Sequence, residues 1–148
     1  MDPKRRKTLI ESAVEAQPYP PEAALAKAWL ESNIDHYWDI EAQKRVGRGV
    51  ELCDHFSPGI RKMAFYATMK RVDLVSYAED DATLIELKDH VDLAAVRQAQ
   101  GYRDLWVSSP TDPAVIAVVV VGRTGDADIA NTAAAFGVTV ELLPQVQV

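Results

Sequence analysis

The chain has 148 residues, near the commonest size of a single domain and long enough for a real core. It is 48% hydrophobic and 26% charged, ordinary for a globular protein, and its longest apolar run, residues 114–121, is too short to span a bilayer. The net charge of −6 argues against a general nucleic-acid binder, and one cysteine, Cys53, excludes an intramolecular disulfide and fits a reducing cytoplasm. The basic residues of the first seven positions are followed by no apolar stretch, so a secretory signal is not expected.

One domain over residues 1–148 is expected, with 1–20 as an N-terminal extension. Leu9, Ile10, Ala13 and Val14 fall at helical spacing within residues 1–17, and the prolines that follow stop that helix. Pro20 and Pro21 then open a stronger helix over 22–32, with Glu22 at its positive end. Ala24, Leu25, Ala28, Trp29 and Ile34 are its expected buried stripe. Residues 36–43 read as a strand, and Glu41 as an acid on an exposed edge that would reach the site only if this strand neighbours the Asp73 strand. Gly47, Gly49, Pro58 and Gly59 make 46–60 irregular. Within it, Cys53-Asp54-His55 lacks the further ligands that a zinc site needs. Residues 61–68 fit a helix or the start of a long strand equally well.

Residues 71–102 are the centre of the chain. Val72, Leu74, Val75 and Tyr77 mark a strand around one lone acid, Asp73; residues 78–82 are an acidic turn; and 83–88 form a second strand. Period-two alternation puts Glu86 and Lys88 on one face, and antiparallel pairing brings Asp73 beside them. Two carboxylates and an ammonium at the end of an apolar hairpin are costly to desolvate unless they neutralise one another or hold a cation. A helix over 93–107 follows, with Ala94, Val96 or Arg97, Gln100 and Leu105 distributed around it. Gln98 and Tyr102, four apart, lie on one of its faces. Residues 108–113 break the chain. The β-branched run 114–121 is a central strand, 126–136 a helix ended by Gly137, and 138–143 a last strand, joined as a parallel pair with a right-handed crossover.

Asp73, then twelve residues, then Glu86-Leu87-Lys88 resembles the PD-(D/E)XK nuclease superfamily, and Gln98 with Tyr102 resembles the Gln-xxx-Tyr helix motif of RecB-like and archaeal mismatch and branched-DNA endonucleases. Val72 stands where the name-giving proline would be. The resemblance implies an α/β protein with a restriction-endonuclease-like αβββαβ core, a central mixed sheet flanked by helices and a further αβ unit. It implies Mg²⁺ or Mn²⁺ held by Asp73, Glu86 and the Leu87 carbonyl, with DNA as substrate. Lys88 would act on the attacking water, Gln98 and Tyr102 on the surroundings of the site, and Glu22 resembles the early helix glutamate of Holliday-junction resolvases. Glu31 is a weaker candidate for that place.

The charge is unevenly spread. Residues 1–71 hold twelve Lys/Arg against ten Asp/Glu, while 72–148 hold four against twelve. Clusters at 4–7, 44–48, 61–62 and 70–71 suit phosphates if they share a face. The expected function is a metal-dependent DNA endonuclease with no membrane association; a homodimer is compatible, and a dimer contact is one role open to the 46–60 insertion. Two other readings stand beside it: a nuclease-fold binding or assembly module without activity, and a Rossmann-like small-molecule enzyme using the Val121-Gly-Arg-Thr-Gly-Asp126 turn for phosphate.

Overall fold

The two strands expected on either side of the acidic turn pair with each other, and the sheet grows outward from them. A computed structural model of the chain describes residues 1–106 and 112–147. In chain order the elements are α1 (Pro3–Glu15), α2 (Pro20–Asn33), a 3-10 turn (Ile34–His36), β1 (Asp39–Val46), α3 (Pro58–Ala67), β2 (Lys70–Ala78), β3 (Asp81–Leu87), β4 (His90–Val91), α4 (Leu93–Leu105), β5 (Ala114–Gly122), β6 (Thr124–Gly125), α5 (Ile129–Ala135) and β7 (Thr139–Leu142). The main sheet has the order β1-β2-β3-β5-β7. β1, β2 and β3 are antiparallel neighbours, and β5 and β7 continue the sheet in parallel. The protein is therefore α/β, with a mixed five-stranded sheet between two helical layers.

Alternation along the strands divides the core in two. Leu74, Ile85, Leu87, Val119 and Val121 face α1 and α2, where they meet Ile10, Leu25, Trp29, Leu30 and Ile34. Val75, Leu84, Val118 and Val120 face α4 and α5, against Val96, Ala99, Tyr102, Ile129 and Ala133. Leu25, Leu30 and Ile34 are wholly buried, and each such side chain contributes roughly 1.5–3 kcal/mol relative to an exposed one. No helix among the described residues is long and apolar enough to cross a membrane.

Several sequence expectations shift. His36 belongs to the 3-10 turn rather than to a strand, because fully buried Ile34 holds the chain beneath α2. The ladder begins only at Asp39, after the Trp38 N–H has donated to the Tyr77 carbonyl at 2.9 Å. Residues 58–60, expected to be irregular, open α3, and 61–67 are helix rather than strand. Pro58 takes the first turn, and the Ser57 Oγ accepts the Ile60 N–H at 3.3 Å. On α2 the buried stripe runs through Leu25, Ala26, Trp29 and Leu30, so Ala24 and Ala28 give way to Ala26 and Leu30. On α4 it runs through Ala95, Val96, Ala99 and Tyr102, leaving Ala94 exposed. The predicted end of that helix at Val107, and residues 108–111 of the break, lie outside the described residues.

The charges around the turn after β5 disfavour a bound phosphate. The Arg123 guanidinium is held by both oxygens of Asp89, at 2.9 and 3.1 Å. α5 starts only at Ile129, with Asp126 and Asp128 before it, and carboxylates there repel an anion. β4 and β6, which the sequence did not signal, tie this turn to the end of β3 as a small parallel pair. Gly122 makes the close approach possible. A Cβ there would lie 2.4 Å from Val91 Cγ2 and 2.6 Å from the Lys88 carbonyl oxygen. Gly122→Ala is expected to displace the backbone at Lys88 and lower stability by about 1–3 kcal/mol, read as a lower urea midpoint.

Candidate active site

The β2–β3 ladder ends at the Leu74–Ile85 pair, and a cluster of polar side chains occupies that end. The Leu87 N–H donates to Asp73 Oδ2 at 2.8 Å. The other oxygen, Oδ1, accepts from Gln43 Nε2 at 3.2 Å. That amide also donates to Gln17 Oε1 at 2.9 Å, and Gln17 Nε2 donates in turn to the Asp73 carbonyl at 3.2 Å. Gln43 has a left-handed backbone, φ 54°, and drops out of the β1–β2 pairing opposite Asp73. The inward–outward alternation of β2 breaks at the same level: Val72 and Val75 both enter the α4-side core. A left-handed backbone is unfavourable for a residue with a Cβ, and here it goes with an amide held on a carboxylate.

Glu86 is 7% exposed, and its Oε2 is buried with no hydrogen-bond partner. Tyr102, 3% exposed, is a hydrogen-bonding neighbour of that carboxyl, and Gln98 Nε2 donates to the Tyr102 hydroxyl at 2.8 Å. Burial, and then the charge of Asp73, push the Glu86 carboxyl up to about 9. Asp73 is raised by burial, against the opposing effects of the Leu87 N–H, Gln43 and Lys88. Glu22, in the first turn of α2, is raised by burial and by Asp73, with Lys88 opposing. Tyr102 is raised by burial and by Glu86. Three carboxyls thus resist ionisation together, which is the behaviour of an anionic site short of positive charge. Lys88 is exposed and forms no ion pair among the described residues. A salt bridge that ties it to the two acids is absent.

The structure therefore gathers Glu22, Asp73, Glu86, Lys88, Gln98 and Tyr102 at one end of the sheet. Glu31 is exposed at the far end of α2, where its carbonyl accepts from Arg6 at 2.8 Å, and it is not part of the cluster. Glu41 accepts the Tyr77 hydroxyl at 2.7 Å and pairs with Lys44 at 3.6 Å. Cys53, Asp54 and His55 are exposed, and Asp54 pairs with Arg61. Gln17 and Gln43 went unnoticed in the sequence, since neither amide stands in a motif or at a telling distance from Asp73. Gln43→Ala removes donors to Asp73 and to Gln17. It is expected to cost about 1–3 kcal/mol in chemical denaturation, with no change in helix content by circular dichroism.

Among the described residues no three His, Cys, Asp or Glu side chains close around a point that suits a metal ion. Mg²⁺ does not require such a cage: one or two carboxylates, waters and substrate phosphate are its usual ligands. The orphaned Glu86 oxygen and the crowded carboxyls fit a hard divalent cation as the missing partner. The basic clusters contribute less free charge than their number suggests. Arg5, Arg6, Lys7, Lys44, Arg48 and Arg61 are each ion-paired. The chain is thus an α/β protein with a buried glutamate beside a half-buried aspartate where two strands part. No protein-family model, no curated protein and no solved structure matches the chain.

Proposed function

We propose that the chain is a metal-dependent DNA endonuclease with a restriction-endonuclease-like core. The carrying observation is the buried, unpartnered Oε2 of Glu86 beside Asp73, with Lys88 at the same end of β3 in no ion pair among the described residues. The sheet order supports the reading as well: three antiparallel strands, a helix, a parallel strand, and a further helix and strand. Asp73, Glu86 and the Leu87 carbonyl would hold Mg²⁺ or Mn²⁺, with Glu22 acting through water. Such an ion, when bound, acidifies bound water and offsets charge on an attacked phosphate. Lys88 orients the attacking water and places positive charge by the developing oxyanion. Tyr102, oriented by Gln98, positions Glu86, and Gln43 with the Leu87 N–H positions Asp73.

The test is a panel of labelled single-stranded, duplex, mismatched, flapped and branched DNAs incubated with Mg²⁺ or Mn²⁺. Cleavage of any member that Asp73→Ala abolishes supports the proposal; no cleavage across the panel overturns it. The acidic net charge favours a second reading, an inactive binding or assembly module on the same fold. That reading expects DNA or protein binding that Asp73→Ala leaves unchanged.

A further inference from the structure

α3 is a helix without a buried residue. Ala64 and Phe65 are half-buried, while Ile60 (51% exposed), Met63 (69%) and Tyr66 (57%) turn outward at three-residue spacing, and Phe56 lies exposed just before the helix. The chain leading to it is pressed close on the inner side. A Cβ on Gly49 would lie 1.5 Å from the Phe65 carbonyl oxygen, and the Val50 N–H donates to Thr68 Oγ1. The helix is thus fixed from within, and its apolar face is left open. Such a face on a monomer marks an interaction site.

Charge says what covers it. Residues 44–71 hold seven Lys/Arg against two Asp/Glu, whereas the rest of the chain holds nine against twenty. Across the β1–β2 ladder Arg45 stands directly opposite Arg71, with Lys70 next to it. Like charges facing each other on neighbouring strands repel. Among the described residues no carboxylate pairs with Arg45, Lys70 or Arg71. Arg45 instead lies 4.0 Å from the centroid of the Tyr66 ring and donates to the Tyr66 carbonyl at 3.2 Å. A second copy of the chain would set one positive face against another, while a polyanion would relieve the repulsion. Lys70 also stands three residues before Asp73 on β2, about 10 Å along the strand.

We propose that α3 and the Arg45–Arg71 strand pair form a docking surface for DNA with unpaired bases. The guanidinium and ammonium groups hold phosphates, and Tyr66, Phe56, Met63 and Ile60 receive base faces that an intact duplex keeps stacked away. The inference deepens the nuclease reading and rests on it for the choice of DNA. Its consequence is a substrate class: single-stranded, flapped, mismatched or branched DNA rather than continuous duplex.

The test is fluorescence anisotropy with EDTA, using a labelled single strand, its duplex and a flapped duplex, at two salt concentrations. The expected result is binding of the single strand and flap roughly tenfold or more tighter than the duplex. Met63→Ser with Tyr66→Ser should erase that preference, while Arg61→Glu with Lys62→Glu should weaken all three DNAs alike. These side chains are exposed, so the variants are expected to fold; circular dichroism checks this. Equal affinity for strand and duplex, or a preference that survives Met63→Ser with Tyr66→Ser, overturns the proposal. A change of oligomeric state in that variant by analytical ultracentrifugation overturns it too, because the face would then be a contact between copies. Binding without metal does not depend on catalysis, so loss of the nuclease reading would show in the cleavage panel and leave this result standing.

Discussion

Lys88→Ala is expected to fold, to bind Mn²⁺ at least as well as the unaltered protein, and to lose DNA cleavage by roughly two or more orders of magnitude. The structure separates this from a stability effect. Lys88 is exposed and forms no ion pair among the described residues, so its removal breaks no salt bridge there. Its backbone N–H donates to the Val121 carbonyl at 2.9 Å, and alanine keeps that bond. What alanine cannot keep is an ammonium placed to influence both Asp73 and Glu22. With that charge gone the acids attract a cation no less strongly, so binding and turnover should move apart. Lys88→Arg should recover part of the rate if the group stabilises charge, and little if it must also take a proton. A Lys88→Ala protein that cleaves at the unaltered rate would refute the role given to this residue.

The second large effect is expected at Glu86. Its carboxyl lies at about 9 in the folded chain against an ordinary 4.5, the main cause being burial and the next Asp73. Between those values the folded state keeps a proton that the unfolded state releases. Stability from this group is therefore greatest at the acid end and falls as pH rises through that window. Asp73 and Glu22, also raised, act in the same direction. Glu86→Gln keeps the shape and removes the charge. The variant should match the unaltered metal-free protein near about pH 5 and exceed it by a few kcal/mol near about pH 9. Adding Mn²⁺ should raise the thermal midpoint of the unaltered protein more at alkaline than at acid pH, since ligand binding stabilises the folded state and needs the ionised carboxyl. Glu86→Gln should hardly respond. An equal response to Mn²⁺ in both proteins would remove Glu86 from any metal site.

The hairpin at 71–88 was legible because β-branched and apolar residues alternate with charge on either side of an acidic turn, and strand periodicity then fixes which side chains share a face. The juxtaposition of Asp73 with Glu86 follows from those rules alone. The glutamine pair does not. Gln43 reaches Asp73 only because its own backbone turns left-handed, and no propensity rule places a glutamine there. Gln17 arrives from the end of α1, far away in sequence, through packing of α1 under the sheet. α3 was ambiguous for a related reason. Met63, Ala64, Phe65 and Tyr66 suit a strand as well as a helix, and the deciding signals, Ser57 and Pro58, act only at its start. β4 and β6 are two residues each, too short for any period to register.

Gln43 has a bearing on self-association. β1 is an outer strand, and an outer strand offers its spare amides and carbonyls to any extended chain that drifts past. The left-handed residue splits that edge into residues 39–42 and 44–46, and Glu41, Lys44 and Arg45 stud it with charge. The opposite edge, β7, is only four residues long. A growing β-aggregate needs a straight, continuous template, and neither border of this sheet supplies one. The kink that turns an amide toward Asp73 also denies a newly made sheet the chance to zip onto its neighbour.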